Sequence, residues 1–188
     1  MIKHPSALAL LALVVASPVL AQAQRPASAP PAAAAPALAQ PDNTTASYGD
    51  WTHRCQQAVG AARVCEIVQA LEVQGQRGPI ALIAVGRPQR NEPYKLVVQV
   101  VPNIALGPDS GARVALGEKD EGVLAPYRRC TPGGCFAEVT MSEDLLKRWR
   151  GHGETGQLRL VDAANRQVIL TFSFRGFQAA ADALARDS

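Results

Sequence analysis

Two close pairs of cysteines constrain this chain more than any other feature. Cys130 and Cys135 bracket Thr131-Pro132-Gly133-Gly134, and Cys55 and Cys65 are spaced as C-x9-C. Pro132 has φ fixed near the value that the second residue of a type I or II turn requires. Gly133 is expected to supply the positive φ of a type II turn. Tyr127 precedes the segment, and Phe136, Ala137 and Val139 follow it, so the stretch reads as a hairpin. With Thr131 and Gly134 closing a two-residue loop, Cys130 and Cys135 become directly opposed. The spacing across such a pair, roughly 4.5 Å between Cα atoms, suits a disulfide. Four cysteines allow three connectivities. Nearness in sequence favours Cys55–Cys65 with Cys130–Cys135. Such short loops stabilise by roughly 2–3 kcal/mol each and stiffen local hairpins more than they fix topology. A zinc ribbon would need paired C-x2-C knuckles, and a thioredoxin-like redox site would need C-x-x-C; neither spacing occurs.

Disulfides belong to an oxidising compartment, and the start of the chain agrees. Residues 1–23 read as a secretory signal, with Lys3 as the positive region, the apolar run Ala7–Ala16, and A-x-A-type cleavage sites ending at Ala21 and Ala23. The apolar run is shorter than the roughly 20 residues a membrane span needs. Signal removal is therefore expected to leave no transmembrane span. Residues 24–46 are rich in Ala and Pro and read as a disordered linker. The formal net charge of +3 falls to +2 once Lys3 is removed, too small a surplus to point to nucleic acid.

The folded domain is expected over 47–185. Tyr48–Cys55 alternates as one strand. Further short β-branched runs lie at Val64–Val73, Pro79–Val85, Tyr94–Val101, Ala112–Leu116, Gly122–Tyr127, Phe136–Thr140, Gln157–Val161 and Gln167–Phe174. The runs at Pro79–Val85 and Tyr94–Val101 are nearly all apolar, as in central strands buried on both faces. One helix is expected near 142–150, capped by Thr140 or Ser142 and stopped at Gly151, with Leu145, Leu146 and Trp149 on one stripe. A short C-terminal helix carries Phe177, Ala180, Ala181 and Leu184. The pattern points to a mainly β fold, an antiparallel β-sandwich of immunoglobulin-like or jelly-roll-like kind.

No catalytic motif emerges. Gly151–Gly156 matches G-x-G-x-x-G, but a helix precedes it and a strand follows, the reverse of a dinucleotide site. His152 then reads as an exposed loop histidine. His53 reads as a structural or surface histidine, and Glu118, Asp120 and Glu121 as a solvated turn. No cofactor or metal site is expected, and no enzymatic activity.

Gly49-Asp50-Trp51, Cys55, Cys65, Cys130, Gly134-Cys135 and Gly176-Phe177 before an alanine-rich terminal helix form an ordered set. From about Tyr48 to Leu184 this set resembles the invasion-associated locus B family. The resemblance implies an exported protein of Gram-negative bacteria, periplasmic, secreted or associated with the outer membrane, with a β-sandwich fold. It transfers no catalytic residues; Cys55, Cys65, Cys130 and Cys135 carry over as structural positions. The function it implies is non-enzymatic surface recognition of an envelope or host protein. Arg128 and Arg129, flanking the stapled loop, are the candidate binding residues. A small-ligand or lipid carrier and an unrecognised hydrolase are the alternatives.

Overall fold

The computed structural model describes residues 43–89, 91–107 and 109–187. The expected signal segment and residues 24–42 of the expected linker lie outside them. Ten strands and two helices follow one another: β1 (Asn43–Tyr48), β2 (Trp51–Gln56), β3 (Val64–Leu71), β4 (Ala81–Arg87), β5 (Lys95–Val100), β6 (Gly111–Ala115), β7 (Val123–Thr131), β8 (Gly134–Thr140), α1 (Glu143–Arg150), β9 (Thr155–Val161), β10 (Gln167–Ser173) and α2 (Phe177–Asp187). The expected mainly β, antiparallel architecture is present, with both helices. The strands form one ladder in the order β1-β2-β3-β4-β5-β8-β7-β6-β9-β10.

Two boundaries differ from the sequence reading. The strand expected over Tyr48–Cys55 is the end of β1, a two-residue turn at Gly49-Asp50, and β2. Gly49 has φ 58°, which lets the chain reverse without breaking the alternation of side chains. β1 starts at Asn43, inside the segment assigned to the linker. It pairs along its whole length with β2, from Asn43 opposite Gln56 to Tyr48 opposite Trp51. Its residues are mostly exposed, so a polar, small-residue composition suffices on this edge.

β7 turns the ladder. Residues 123–126 pair with β6, whereas Tyr127–Thr131 pair with β8. A register shift between Tyr127 and Arg129 marks the change, as a bulge does where a strand bends. The ladder is not closed into a barrel. Instead, side chains of β2 and β3 reach the end of β10. The buried Gln69 amide accepts from the Ser173 N–H (2.8 Å) and donates to the Ser173 carbonyl (2.9 Å). Trp51 Nε1 donates to the same carbonyl at 2.8 Å. The buried Gln69 amide and Trp51 N–H are thereby paired.

The core is filled by large side chains at alternating positions. In β5, Leu96, Val98 and Val100 are buried while Lys95, Val97 and Gln99 are half-buried, so this strand covers one face only and not the two expected. α1 is capped by Ser142, whose Oγ accepts from the Leu145 N–H at 3.2 Å. Trp149 of α1 meets Phe172, Phe174 and, on α2, Phe177 with ring centroids 5.3–5.9 Å apart, and Phe177 also meets Phe174 at 5.7 Å. Trp51 meets Phe177 edge to face at 5.0 Å. Such pairs add about 0.5–1.5 kcal/mol each beyond the area they bury.

Residues from opposite ends of the domain form a clasp at this point. Gly176 has φ 89°, and a Cβ there would collide with the Tyr48 carbonyl; one at Gly49 would meet the Arg175 carbonyl. The Asp50 N–H donates to the Arg175 carbonyl at 3.0 Å. The Arg175 guanidinium pairs with the Asp50 carboxylate through Nε at 3.0 Å and through Nη2. That pairing holds the Asp50 carboxyl below the ordinary range and raises Arg175.

Candidate functional site

The sulfurs of Cys130 and Cys135 lie at disulfide distance, as do those of Cys55 and Cys65. Thr131 faces Gly134, and Cys130 faces Cys135, so only Pro132 and Gly133 lie beyond the closing pair. The turn is not type II, however: the positive φ, 141°, falls on Gly134 and not on Gly133. The physical reason is contact with the neighbouring strand. A Cβ on Gly134 would press 2.7 Å from the Val100 carbonyl oxygen, and Gln99 Nε2 donates to the Gly133 carbonyl at 2.9 Å. The tip is therefore stapled within itself and held by β5. Arg128 and Arg129 are both exposed beside it. The Arg129 guanidinium stacks over the Phe136 ring, 4.6 Å from its centroid. Tyr127 lies half-buried at the bulge, its hydroxyl buried, and burial pushes its pKa up to about 12.

The second staple is at the other end of the sheet. Cys55 pairs across to Cys65, and Cys65 to Arg87. Cys135 pairs to Val100, Val100 to Ala81, and Ala81 to Leu71. The run from Cys65 to Leu71 along β3 spans roughly 20 Å, so the four cysteines do not share one metal site.

Around Cys55–Cys65 the structure gathers residues that sequence reasoning left apart. His53 is 5% exposed, and its Nε2 lies 3.6 Å from Cys55 Sγ and 3.7 Å from Asp187 Oδ2 at the end of α2. Burial lowers the His53 pKa; Asp187 opposes that effect, and Arg63 and Arg186 add to it. A surface depression of about 860 Å³ opens here, lined by Arg63, Cys65, Arg87, Arg186 and Asp187 among others. Arg87 also stacks over Tyr94 at 4.8 Å. His53 and Asp187 are 134 positions apart (187 − 53), and no local pattern marks them as neighbours.

The remaining candidates do not assemble a catalytic set. His152 is half-buried and not exposed as expected, with its ring edge-on to Phe174 at 4.8 Å. Asp120 does not sit in a merely solvated turn either. It accepts from the Leu116 N–H at 2.8 Å and pairs with Arg148 at 3.1 Å, which holds its carboxyl below the ordinary range. A further depression of about 590 Å³ lies over β6 and β9. Its Arg159 already donates to the carbonyls of Gly117, Glu118 and Asp120, which ties down the 117–121 loop.

No curated protein gives a significant match to the chain. Among solved structures, the crystal structure of invasion associated protein b from Bartonella henselae has the same fold, with a TM-score of 0.62 over 76% of this chain and 96% of that one. The two are 20% identical, so that likeness speaks for the fold. The family model for the invasion associated locus B (IalB) protein matches residues 51–185, a range that holds both cysteine pairs and the Arg175-Gly176 side of the clasp, and the chain belongs to the IalB family.

Proposed function

We propose that this chain is an exported envelope protein that acts by recognising a surface and not by catalysis. The observation that carries this reading is the Cys130–Cys135 tip. Its residues 130–133 are exposed, while Gly134 and Cys135 are buried; the loop is stapled, held against β5, and flanked by two exposed arginines. A rigid tip loses little conformational entropy on binding, and paired arginines suit an acidic partner surface. In this reading the ladder, folded over at β7, supplies the two layers of a sandwich that carries the tip. Export is supported by the family, by the two cysteine pairs, and by the apolar N-terminal segment. No helix among the described residues is long and apolar enough to cross a membrane. The Bartonella henselae protein is named for an association with invasion; for the present chain the corresponding partner is an acidic protein surface of the envelope or of a host.

A carrier fits less well, because Trp51, Trp149, Phe172, Phe174 and Phe177 are buried together in the hydrophobic core. A hydrolase fits less well because His53 faces a sulfur already bonded to Cys65, and His152 faces a phenyl ring. The test compares the parent chain with Arg128→Glu/Arg129→Glu for capture of envelope and host-surface proteins. The double variant is expected to melt at the same temperature and to lose capture by at least about tenfold. Equal capture would remove the tip from the reading, and no reproducible partner for the parent would remove recognition itself.

A further inference from the structure

The Cys55–Cys65 staple is surrounded by groups that a disulfide does not need. His53 is buried against it, and Asp187 closes over it from the end of α2. One ligand atom from each of His53, Cys55, Cys65 and Asp187 lies within 4.8 Å of all the others. Among the described residues this is the one such group of His, Cys, Asp and Glu side chains. A tetrahedral zinc ion with bonds of about 2.0–2.3 Å spaces its ligands roughly 3.3–3.8 Å apart. The His53 distances, 3.6 Å to Cys55 Sγ and 3.7 Å to Asp187 Oδ2, fall within that range. The two sulfurs are closer than this, because they are bonded to each other.

We propose that the Cys55–Cys65 pair is a redox-gated metal site, which in the dithiol state binds one Zn²⁺ through Cys55, Cys65, His53 and Asp187. A dithiol reductant supplies two electrons and two protons, splits the S–S bond into two thiols, and leaves as its own disulfide. Zn²⁺ then displaces the two thiol protons, and both thiolates ligate. The His53 ring offers Nε2, which faces both Cys55 and Asp187. Two thiolates and a carboxylate against a divalent ion leave one net negative charge. Arg63, Arg87 and Arg186 line the same depression and offset that charge. The depression supplies the entry path, since Cys65 and Asp187 both face it. The reading is independent of the recognition tip, which stands at the other end of the sheet.

The experiment uses the chain carrying Cys130→Ser and Cys135→Ser, which retains only the relevant pair. It is reduced with a phosphine under nitrogen and titrated with Co²⁺, then with Zn²⁺. One equivalent of Co²⁺ is expected to give a thiolate-to-cobalt charge-transfer band and the strong visible bands of a tetrahedral ion, both discharged by Zn²⁺. The unreduced chain is expected to give neither. His53→Gln and Asp187→Asn should each weaken Co²⁺ binding more than about tenfold. A reduced chain that takes up no Co²⁺, or either variant with unchanged affinity and spectrum, overturns the four-ligand site. Should reduction unfold the chain, circular dichroism decides: refolding driven by Zn²⁺ supports the site, and a chain that stays unfolded with Zn²⁺ overturns it.

Discussion

A methyl group on Gly176 has no room. Its φ of 89° is one that L side chains rarely adopt, and the Tyr48 carbonyl occupies the place where Cβ would stand. Gly176→Ala is therefore expected to cost roughly 2–4 kcal/mol, backbone strain and overlap combined. Gly153→Ala meets nothing within 4 Å and should change stability by less than about 0.5 kcal/mol. Urea denaturation of the two variants beside the parent measures the difference; equal midpoints would show that the Tyr48–Gly176 approach is dispensable. At this scale the sequence was informative about residue type but not about meeting places. Gly49-Asp50-Trp51 and Gly176-Phe177 stand out in the chain as an ordered pattern, yet nothing in their spacing says that they touch. The same holds for His53 and Asp187. In the stapled loop the glycine was right in kind and wrong by one position, since the demand on Gly134 comes from Val100 of another strand and not from the turn itself.

At the scale of elements, strands that alternate or run apolar were legible because burial imposes a period of two. The β-rich segments after residue 64 lie close to where their side chains place them. What failed to show was what the period does not encode. A two-residue turn at Gly49-Asp50 leaves the alternation intact, so two strands look like one. An exposed edge strand such as β1 needs no apolar face. The bulge in β7 transfers a strand from one neighbour to the next while its sequence reads on unchanged. The local pairing of the cysteines is a statement about elements too. Each staple joins adjacent strands, β2 to β3 and β7 to β8. Mass spectrometry of a non-reduced digest is expected to yield Cys55–Cys65 and Cys130–Cys135 peptides. Any peptide joining one pair to the other would contradict the register. Replacing Cys130 and Cys135 by alanine should cost about 2–3 kcal/mol and leave far-ultraviolet dichroism unchanged.

For the whole molecule, charge sets a window of stability. Asp50 is held low by Arg175, Asp120 by the Leu116 N–H and Arg148, and Asp162 by the backbone and side chain of Arg166. A carboxyl whose folded pKa lies below its unfolded value stabilises above the unfolded value, about 3.9, and loses that contribution as pH falls through the folded one. Tyr127 works at the other limit. Its folded pKa, raised to about 12, makes its contribution complete below the unfolded value of about 10 and lost as pH rises toward 12. Buried His53, whose pKa is lowered, must also take up a proton that the unfolded chain binds more readily below about pH 6.5. Denaturant midpoints are thus expected to hold from about pH 7 to about pH 10, to begin falling below about pH 6.5, and to fall further below about pH 4 and above about pH 10. Tyr127→Phe should remove part of the alkaline decline, and an unchanged alkaline limb would show that Tyr127 is not its source. The clasp also sets an order of events. A polypeptide emerging N-terminus first, from a ribosome or a translocation channel, presents Asp50 and Trp51 while Arg175 and Phe177, more than a hundred residues behind, are still to come. Each stapled hairpin closes a short loop and is free to form as it emerges. The clasp closes nearly the whole of the described domain, so the Arg175-Gly176 turn, which emerges long after Gly49-Asp50, is the one that locks it.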